Sequence, residues 1–156
     1  YLLPVNFYGP GDHFDLETAH VIPALIRKFS EAKNEERLEV VVWGSGKPTR
    51  EFLYIEDAAE GIILATERYN KPDPVNLGSS FEISIKELAK TIGKLIGYQG
   101  KIVFDKSKPD GQPRRKVDIS KAMKEFGFES VTPFEDGLRK TIAWYEEKFK
   151  KNTKKP

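Results

Sequence analysis

The chain has 156 residues, of which 38% are hydrophobic and 32% charged, with a formal net charge of +2 and no cysteine. This length and composition suit a single globular domain and exclude a disordered chain. No apolar run approaches the ~20 residues that cross a membrane, and the lack of cysteine excludes disulfides, thiolate metal sites and cysteine nucleophiles.

The two ends of the chain differ in character. The N-terminal sequence YLLPVNFYGP is rich in strand formers and lacks the basic start and cleavage site of a signal peptide. We therefore expect a cytoplasmic protein, of which this chain is a later part. The C-terminal sequence KFKKNTKKP contains five lysines, and we interpret residues 151–156 as a solvated tail. We expect no nucleic-acid partner, because such binding also needs a basic patch on the fold.

Strands and helices alternate in the first half. Residues 1–7 predict a buried strand that ends at the GPG corner, and a helix follows to about residue 34. Pro23 must lie in the first turn of this helix, so the helix begins close to His20. LEVVVW and REFLYI predict two strands in a hairpin-like relation across GSGKP. Asp57 is placed to cap the next helix.

Two capping boxes predict helix starts in the second half, Ser84 with Glu87 and Thr132 with Glu135. The first of these helices ends at Gly97. The other elements, each bounded by turn residues, are a strand over 74–77, a strand over 101–104, a polar loop over 105–116 and a helix from Ser120 to Gly127. The alternation predicts a mixed α/β class.

Two patterns that are suggestive of sites fail on inspection. The stretch GSGKPT lacks the earlier glycine of a phosphate-binding loop and has proline directly after its lysine. It also lacks the third glycine of a dinucleotide fingerprint, so we interpret it as a turn. The two histidines, His13 and His20, do not form an HExxH arrangement, and no further histidine or cysteine completes a site. We therefore expect no metal.

Five stretches, in this order along the chain, resemble a known family. They are NFYGPGD, HVIPALIRKF, VVVWGSGKPTREFLYIEDAA, VNLGSSFEISIKELA and FDKSKPDGQPRRKVDISKA. Together they resemble the C-terminal portion of the GDP-L-fucose synthases. These enzymes belong to the extended short-chain dehydrogenase/reductases, within the NAD-dependent epimerase/dehydratase family. UDP-sugar epimerases of that family typically carry RDY where this chain has REF at 50–52.

The resemblance implies a fold in two parts. An N-terminal Rossmann domain binds NADP(H) and carries a YxxxK motif, and a smaller C-terminal part closes over the sugar nucleotide. None of the six tyrosines here has a lysine four residues later. We therefore interpret residues 1–150 as an α/β substrate-binding region that lacks most of the Rossmann domain, with residues 1–8 as a Rossmann-side strand. NADP(H) is then bound mainly outside this chain, and the full-length enzyme is expected to be a homodimer.

The resemblance also implies a reaction, the NADPH-dependent epimerisation and reduction of GDP-4-keto-6-deoxymannose to GDP-L-fucose. It assigns acid/base catalysis to His20. A neutral imidazole at a helix N-terminus suits that role near neutral pH. The open alternative is that His20 only bonds nearby backbone at the helix start. Because the hydride-donor site and the catalytic tyrosine, lysine and cysteine are absent, we expect the chain alone to be inactive.

Further positions take binding roles by the same resemblance. The substrate-binding residues are Lys28, Trp43, Arg50 and Asp110, and the stretch that meets the nicotinamide end of NADP(H) is Pro4, Val5, Asn6 and Phe7. The Arg50 guanidinium suits a diphosphate because it donates in a fork. A carboxylate at Asp110 suits guanine N–H groups or sugar hydroxyls.

Structural roles stay open for several of these residues. Lys28 can be a solvated helix lysine, Trp43 a core aromatic and Asp110 part of a plain turn. We interpret the basic run 114–116 as a solvated loop rather than a phosphate site. Two other functions also stay open. One is a different nucleotide-sugar epimerase or dehydratase, acting on a UDP- or dTDP-sugar. The other is a stand-alone, non-catalytic nucleotide-sugar-binding module.

Overall fold

The computed structural model describes residues 1–150, and the predicted tail at 151–156 lies outside the described residues. The elements are β1 (Leu2–Pro4), β2 (Asn6–Tyr8), α1 (Val21–Asn34), β3 (Glu39–Trp43), β4 (Thr49–Tyr54), α2 (Ile55–Arg68), β5 (Val75–Leu77), β6 (Glu82–Ser84), α3 (Ile85–Ile96), β7 (Lys101–Asp105), β8 (Arg114–Arg115), α4 (Ser120–Phe126) and α5 (Phe134–Lys150). The predicted α/β class is confirmed. Within residues 1–150, no helix combines the length and the apolar character that a membrane crossing requires.

The strands form three small sheets. β1 pairs in parallel with β5, and β3 pairs in parallel with β7. The third sheet is centred on β4, which is parallel to β2 and β8 and antiparallel to β6. β4 therefore touches both the N-terminal stretch and the segment that follows β7.

The hairpin predicted between β3 and β4 is wrong, because the two strands belong to different sheets. Gly44 and Gly46 have φ of 84° and 75°, so the connection turns where other residues would be strained. A Cβ on Gly46 would also lie 2.5 Å from the Phe104 ring. The start of α3 binds this connection, since Lys86 donates its backbone N–H to the Gly46 carbonyl at 2.9 Å. This bond fixes the connection by which the chain leaves the sheet of β3 and enters the sheet of β4.

Of the two predicted capping boxes, the one at the start of α3 is confirmed. At the start of α5, Thr132 instead donates its backbone N–H to Asp57 at 3.0 Å, not to Glu135. The prediction that Asp57 caps α2 is also wrong. Asp57 lies inside the first turn of α2, only 5% exposed, and accepts the hydroxyls of Ser130 and Thr132. Its carboxylate joins α2 to the segment before α5.

Candidate functional site

Four of the five residues predicted to act on the substrate line one cleft of about 310 Å³: His20, Trp43, Arg50 and Asp110. They come from the start of α1, the end of β3, strand β4 and the loop after β7, so the fold gathers four separate segments. The rest of the lining includes Asn6, Phe7, Ile22, Phe52, Ile85 and Arg115. The lining therefore combines apolar side chains with charged groups.

His20 is the N-cap residue of α1, as predicted, with extended φ and ψ of −67° and 167°. Its side chain makes no capping hydrogen bond and is exposed, so the ring is not occupied by the helix start. His20 also lines a second cleft, of about 410 Å³, which shares Asn6 and Phe7 with the first. The imidazole consequently lies where the two clefts meet. The other histidine, His13, lies in the loop before α1 and is bonded to Thr18 through Nε2 at 2.7 Å.

The predicted nicotinamide stretch divides between two positions. Val5, Asn6 and Phe7 line the second cleft, together with the glycine corner that follows them. Pro4, the last residue of β1, is exposed and lines neither cleft. Among residues 1–150, no group of three or more acidic or histidine side chains is placed to hold a metal ion.

Arg50 and Arg115 bring two guanidinium groups to the cleft. Arg50 donates from Nη1 to the carbonyls of Thr49 and Gln112, both at 2.7 Å. Within residues 1–150, no hydrogen bond engages its Nε or Nη2. Arg115 lies in β8, and in the described part of the chain it has no carboxylate partner. The site therefore presents more positive charge than its own side chains neutralise.

The run 114–116 was interpreted from sequence as a solvated loop. Its residues are exposed, but 114 and 115 form strand β8. Successive side chains of a strand point to opposite sides, so Arg114 and Arg115 separate. Arg114 donates to both carboxylate oxygens of Glu82, at 2.8 and 2.9 Å. This ion pair, with the Thr49 hydroxyl at 2.5 Å, lowers the pKa of Glu82 to about 2. A two-residue strand carries too few residues to show that alternation in sequence.

Asp110 is engaged by the turn after β3. Its carboxylate accepts the backbone N–H of Ser45 at 2.5 Å and the Ser45 hydroxyl at 2.7 Å, which holds its pKa below the usual range. A carboxylate offers about four lone-pair sites, so acceptor capacity remains for a ligand. Asp110 thus fastens its loop to the turn after β3, and it also lines the cleft.

Trp43 is 64% exposed, which excludes the core role left open for it. The ammonium groups of Lys28 and Lys108 lie 5.6 and 5.4 Å from its ring centroid. Lys28 also donates to the carbonyl of Val41 at 3.1 Å, and burial lowers its pKa. Lys28 does not line the cleft itself, but its ammonium group lies near the Trp43 ring, which does.

The NAD dependent epimerase/dehydratase family model matches residues 1–78. A GDP-L-fucose synthase of Arabidopsis thaliana is 44% identical over 143 residues, which make up 92% of this chain and 44% of that protein. The GDP-L-fucose synthase of Escherichia coli K12 is 41% identical over 155 residues, 94% of this chain and 48% of that protein.

A solved structure agrees with these sequence matches. A GDP-L-fucose synthetase from Naegleria fowleri, bound to NADP, superposes with a TM-score of 0.89 at 36% identity. The superposition covers 96% of this chain and 47% of that one. The resemblance carried by the sequence motifs is confirmed, and the chain spans less than half the length of these relatives.

Proposed function

The chain belongs to the NAD dependent epimerase/dehydratase family, and we propose that it supplies the sugar-nucleotide side of an NADPH-dependent GDP-L-fucose synthase. One observation carries this proposal. A single cleft is lined by an exposed histidine and by two arginines that lack carboxylate partners among the described residues. A sugar joined to a nucleoside through a diphosphate presents an anion to the arginines and a sugar ring to the histidine.

The arginines account for the diphosphate end. Arg50 has one nitrogen fixed by the backbone, which orients the guanidinium and leaves Nε and Nη2 as a fork. Arg115 adds a second positive charge from a different segment. Two like charges held in one cleft repel each other until an anion binds, so the site favours a ligand with two negative charges.

The guanine end has an acceptor and an aromatic surface. The remaining lone pairs of Asp110 suit the N–H donors of guanine, and the exposed side chain of Trp43 suits contact with a planar base or a sugar ring. Lys28 and Lys108 flank that indole and make the surface around it positive. These features favour a GDP-sugar as the substrate class.

His20 accounts for the epimerisation. Carbons beside a ketone exchange a proton when a base is positioned over them, and inversion needs a group that returns the proton. The His20 ring is exposed, uncommitted to helix capping and placed at the meeting of the two clefts. Its partner in inversion does not come from a cysteine of this chain, which has none.

The second cleft fits the reduction step. Val5, Asn6 and Phe7 would hold the nicotinamide end of NADP(H), since half-buried apolar side chains and a strand backbone suit a flat ring. When bound there, NADPH supplies hydride to the ketone carbon. The rest of the cofactor would be held outside this chain. The homodimeric state and the cytoplasmic location of the full-length enzyme stay predictions.

Calorimetric titration of the chain with GDP, UDP, ADP and NADPH tests the proposal. We expect GDP to bind most tightly, and Arg50→Ala or Arg115→Ala to weaken it at least tenfold. Arg139→Ala, on the exposed side of α5, is the matched control. A preference for UDP would replace the substrate class, and no nucleotide binding would contradict a nucleotide site in this chain. The chain alone is expected not to oxidise NADPH.

A further inference from the structure

Glu51, in the middle of β4, is a buried carboxylate that is only 1% exposed. Its Oε1 accepts the backbone N–H groups of Ser79 and Ser80, each at 2.8 Å. Its Oε2 accepts the backbone N–H of Val117 at 2.9 Å. Backbone donors alone satisfy this carboxylate, and a buried charge is retained only when such bonds are complete.

The Glu51 carboxylate joins segments that are distant in sequence. Ser79 and Ser80 form the turn between β5 and β6, whereas Val117 follows β8 by two residues. The residues of β4 next to Glu51 also bind the segment 112–117, which contains Val117. Thr49 donates its backbone N–H to the Pro113 carbonyl at 2.9 Å. The bond from Arg50 to Gln112 completes a row of three β4 residues that fix the segment 112–117.

Packing around the carboxylate leaves little freedom. A Cβ on Gly78 would clash with Oε1 of Glu51 and lie 3.0 Å from Cγ2 of Val117. Glycine at this position therefore lets the turn, the carboxylate and Val117 approach one another closely. Because the distances are set by short charge-assisted bonds, the segment that carries Arg115 cannot shift without breaking them.

We propose that Glu51 is a positioning residue for the nucleotide-sugar cleft, one that touches no substrate but holds Arg115 beside Arg50, its partner in the pairing of β8 with β4. Its two oxygens serve donors from two segments at once. A glutamine at 51 keeps the shape but offers one oxygen, and its amide nitrogen would face a backbone N–H. The segment 112–117 is then released from β4 on one side. This inference rests on the proposed function, since Arg115 matters only if the cleft binds an anion.

The test compares Glu51→Gln with Glu67→Gln, an exposed glutamate of α2, in two measurements. Amide hydrogen exchange without ligand reports on the segment directly. We expect faster exchange over 112–117 in Glu51→Gln and wild-type rates in the control. GDP titration should then show at least tenfold weaker binding for Glu51→Gln only. Wild-type exchange over 112–117 in a folded Glu51→Gln protein would overturn the positioning role.

A double-substitution cycle separates positioning from general stability. If Glu51 acts through Arg115, adding Glu51→Gln to Arg115→Ala should change GDP affinity by less than about twofold. If the double variant instead lost as much GDP binding free energy as the two single variants together, the proposal would be overturned. Glu51→Asp, which keeps the charge but withdraws it by one methylene, replaces Glu51→Gln if the latter does not fold. Failure of the wild-type chain to bind GDP would instead contradict the proposed function, and hydrogen exchange would still decide whether Glu51 orders the segment.

Discussion

The carboxylate of Asp110 accepts both the backbone N–H and the hydroxyl of Ser45, at 2.5 and 2.7 Å. The two residues are 65 positions apart, so this pair joins the loop after β7 to the turn after β3. Gly44 makes the approach possible, because a Cβ there would clash with Oδ1 of Asp110. One wall of the cleft is therefore closed by a contact between two loops.

Substitutions in this pair should separate fastening from recognition. Ser45→Ala removes the hydroxyl bond to Asp110 but leaves the backbone N–H bond in place, so we expect GDP affinity to fall only about two- to fivefold, corresponding to about 1 kcal/mol at most. Asp110→Asn should weaken GDP about tenfold and reduce the preference for GDP over UDP, because an amide cannot accept both guanine donors. Competition titrations measure both. Unchanged preference in Asp110→Asn would show that Asp110 only fastens the loop.

The ion pair between Arg114 of β8 and Glu82 of β6 should respond to acid. The folded pKa of Glu82, about 2, lies below its ordinary value of 4.5. Its stabilising contribution is therefore fully present above pH 4.5 and is lost as the pH falls towards 2. Carbon-13 NMR of the glutamate carboxyls should show Glu82 titrating last, and Arg114→Ala should move that titration up towards the ordinary value. A wild-type Glu82 that titrates near 4.5 would contradict the ion pair.

The capping box of α3 should contribute measurably to stability. The Ser84 hydroxyl accepts the backbone N–H of Glu87 at 3.1 Å, and the Glu87 side chain returns to Ser84. Ser84→Ala is expected to lower the free energy of unfolding by about 1 kcal/mol, measured by urea denaturation. Ser84→Thr retains the hydroxyl and should restore most of the loss. Equal stability of the alanine and threonine variants would contradict the cap.

Local sequence signals predicted several helix ends correctly. Features that depend on contacts between distant residues could not be predicted in this way. The start of α1 after His20 and the ends of α3 and α4 at Gly97 and Gly127 follow from residues within one turn. Strand pairing does not, since the partner of β3 is β7, almost sixty residues later. The role of Asp57 could not be predicted for the same reason, because its hydrogen-bond donors lie 73 and 75 positions away and no local sequence pattern indicates them.

The candidate site divides along the same line. Motif resemblance found His20, Trp43, Arg50 and Asp110, and the fold brings them to one cleft. It did not select Arg115, whose direction depends on the pairing of β8 with β4. Glu51 was also missed, because a glutamate beside an arginine in a strand carries no sequence sign that it is buried and bonded to two distant turns.

Substitution of Arg50 should weaken nucleotide binding, whereas substitution of His20 should impair catalysis. Arg50 has two nitrogens left to donate to an anion, so Arg50→Ala should weaken GDP by about ten- to a hundredfold, the loss of one or two charge-assisted bonds of about 1.5–3 kcal/mol in total. His20 lies where the two clefts meet, and we propose that it acts on the sugar carbons. His20→Asn should therefore leave GDP affinity within about twofold of wild type.

The catalytic half of this prediction needs the longer enzyme. There, His20→Asn should abolish deuterium incorporation from solvent into the carbons beside the ketone, followed by NMR, while the KM for the GDP-sugar changes little. His13→Asn, in the loop before α1, is the control and should leave the exchange at the wild-type rate. If His20→Asn instead weakened GDP as strongly as Arg50→Ala, the ring would be a phosphate ligand. Proton exchange at the wild-type rate in His20→Asn would remove it from the chemistry altogether, and the base would have to come from outside this chain.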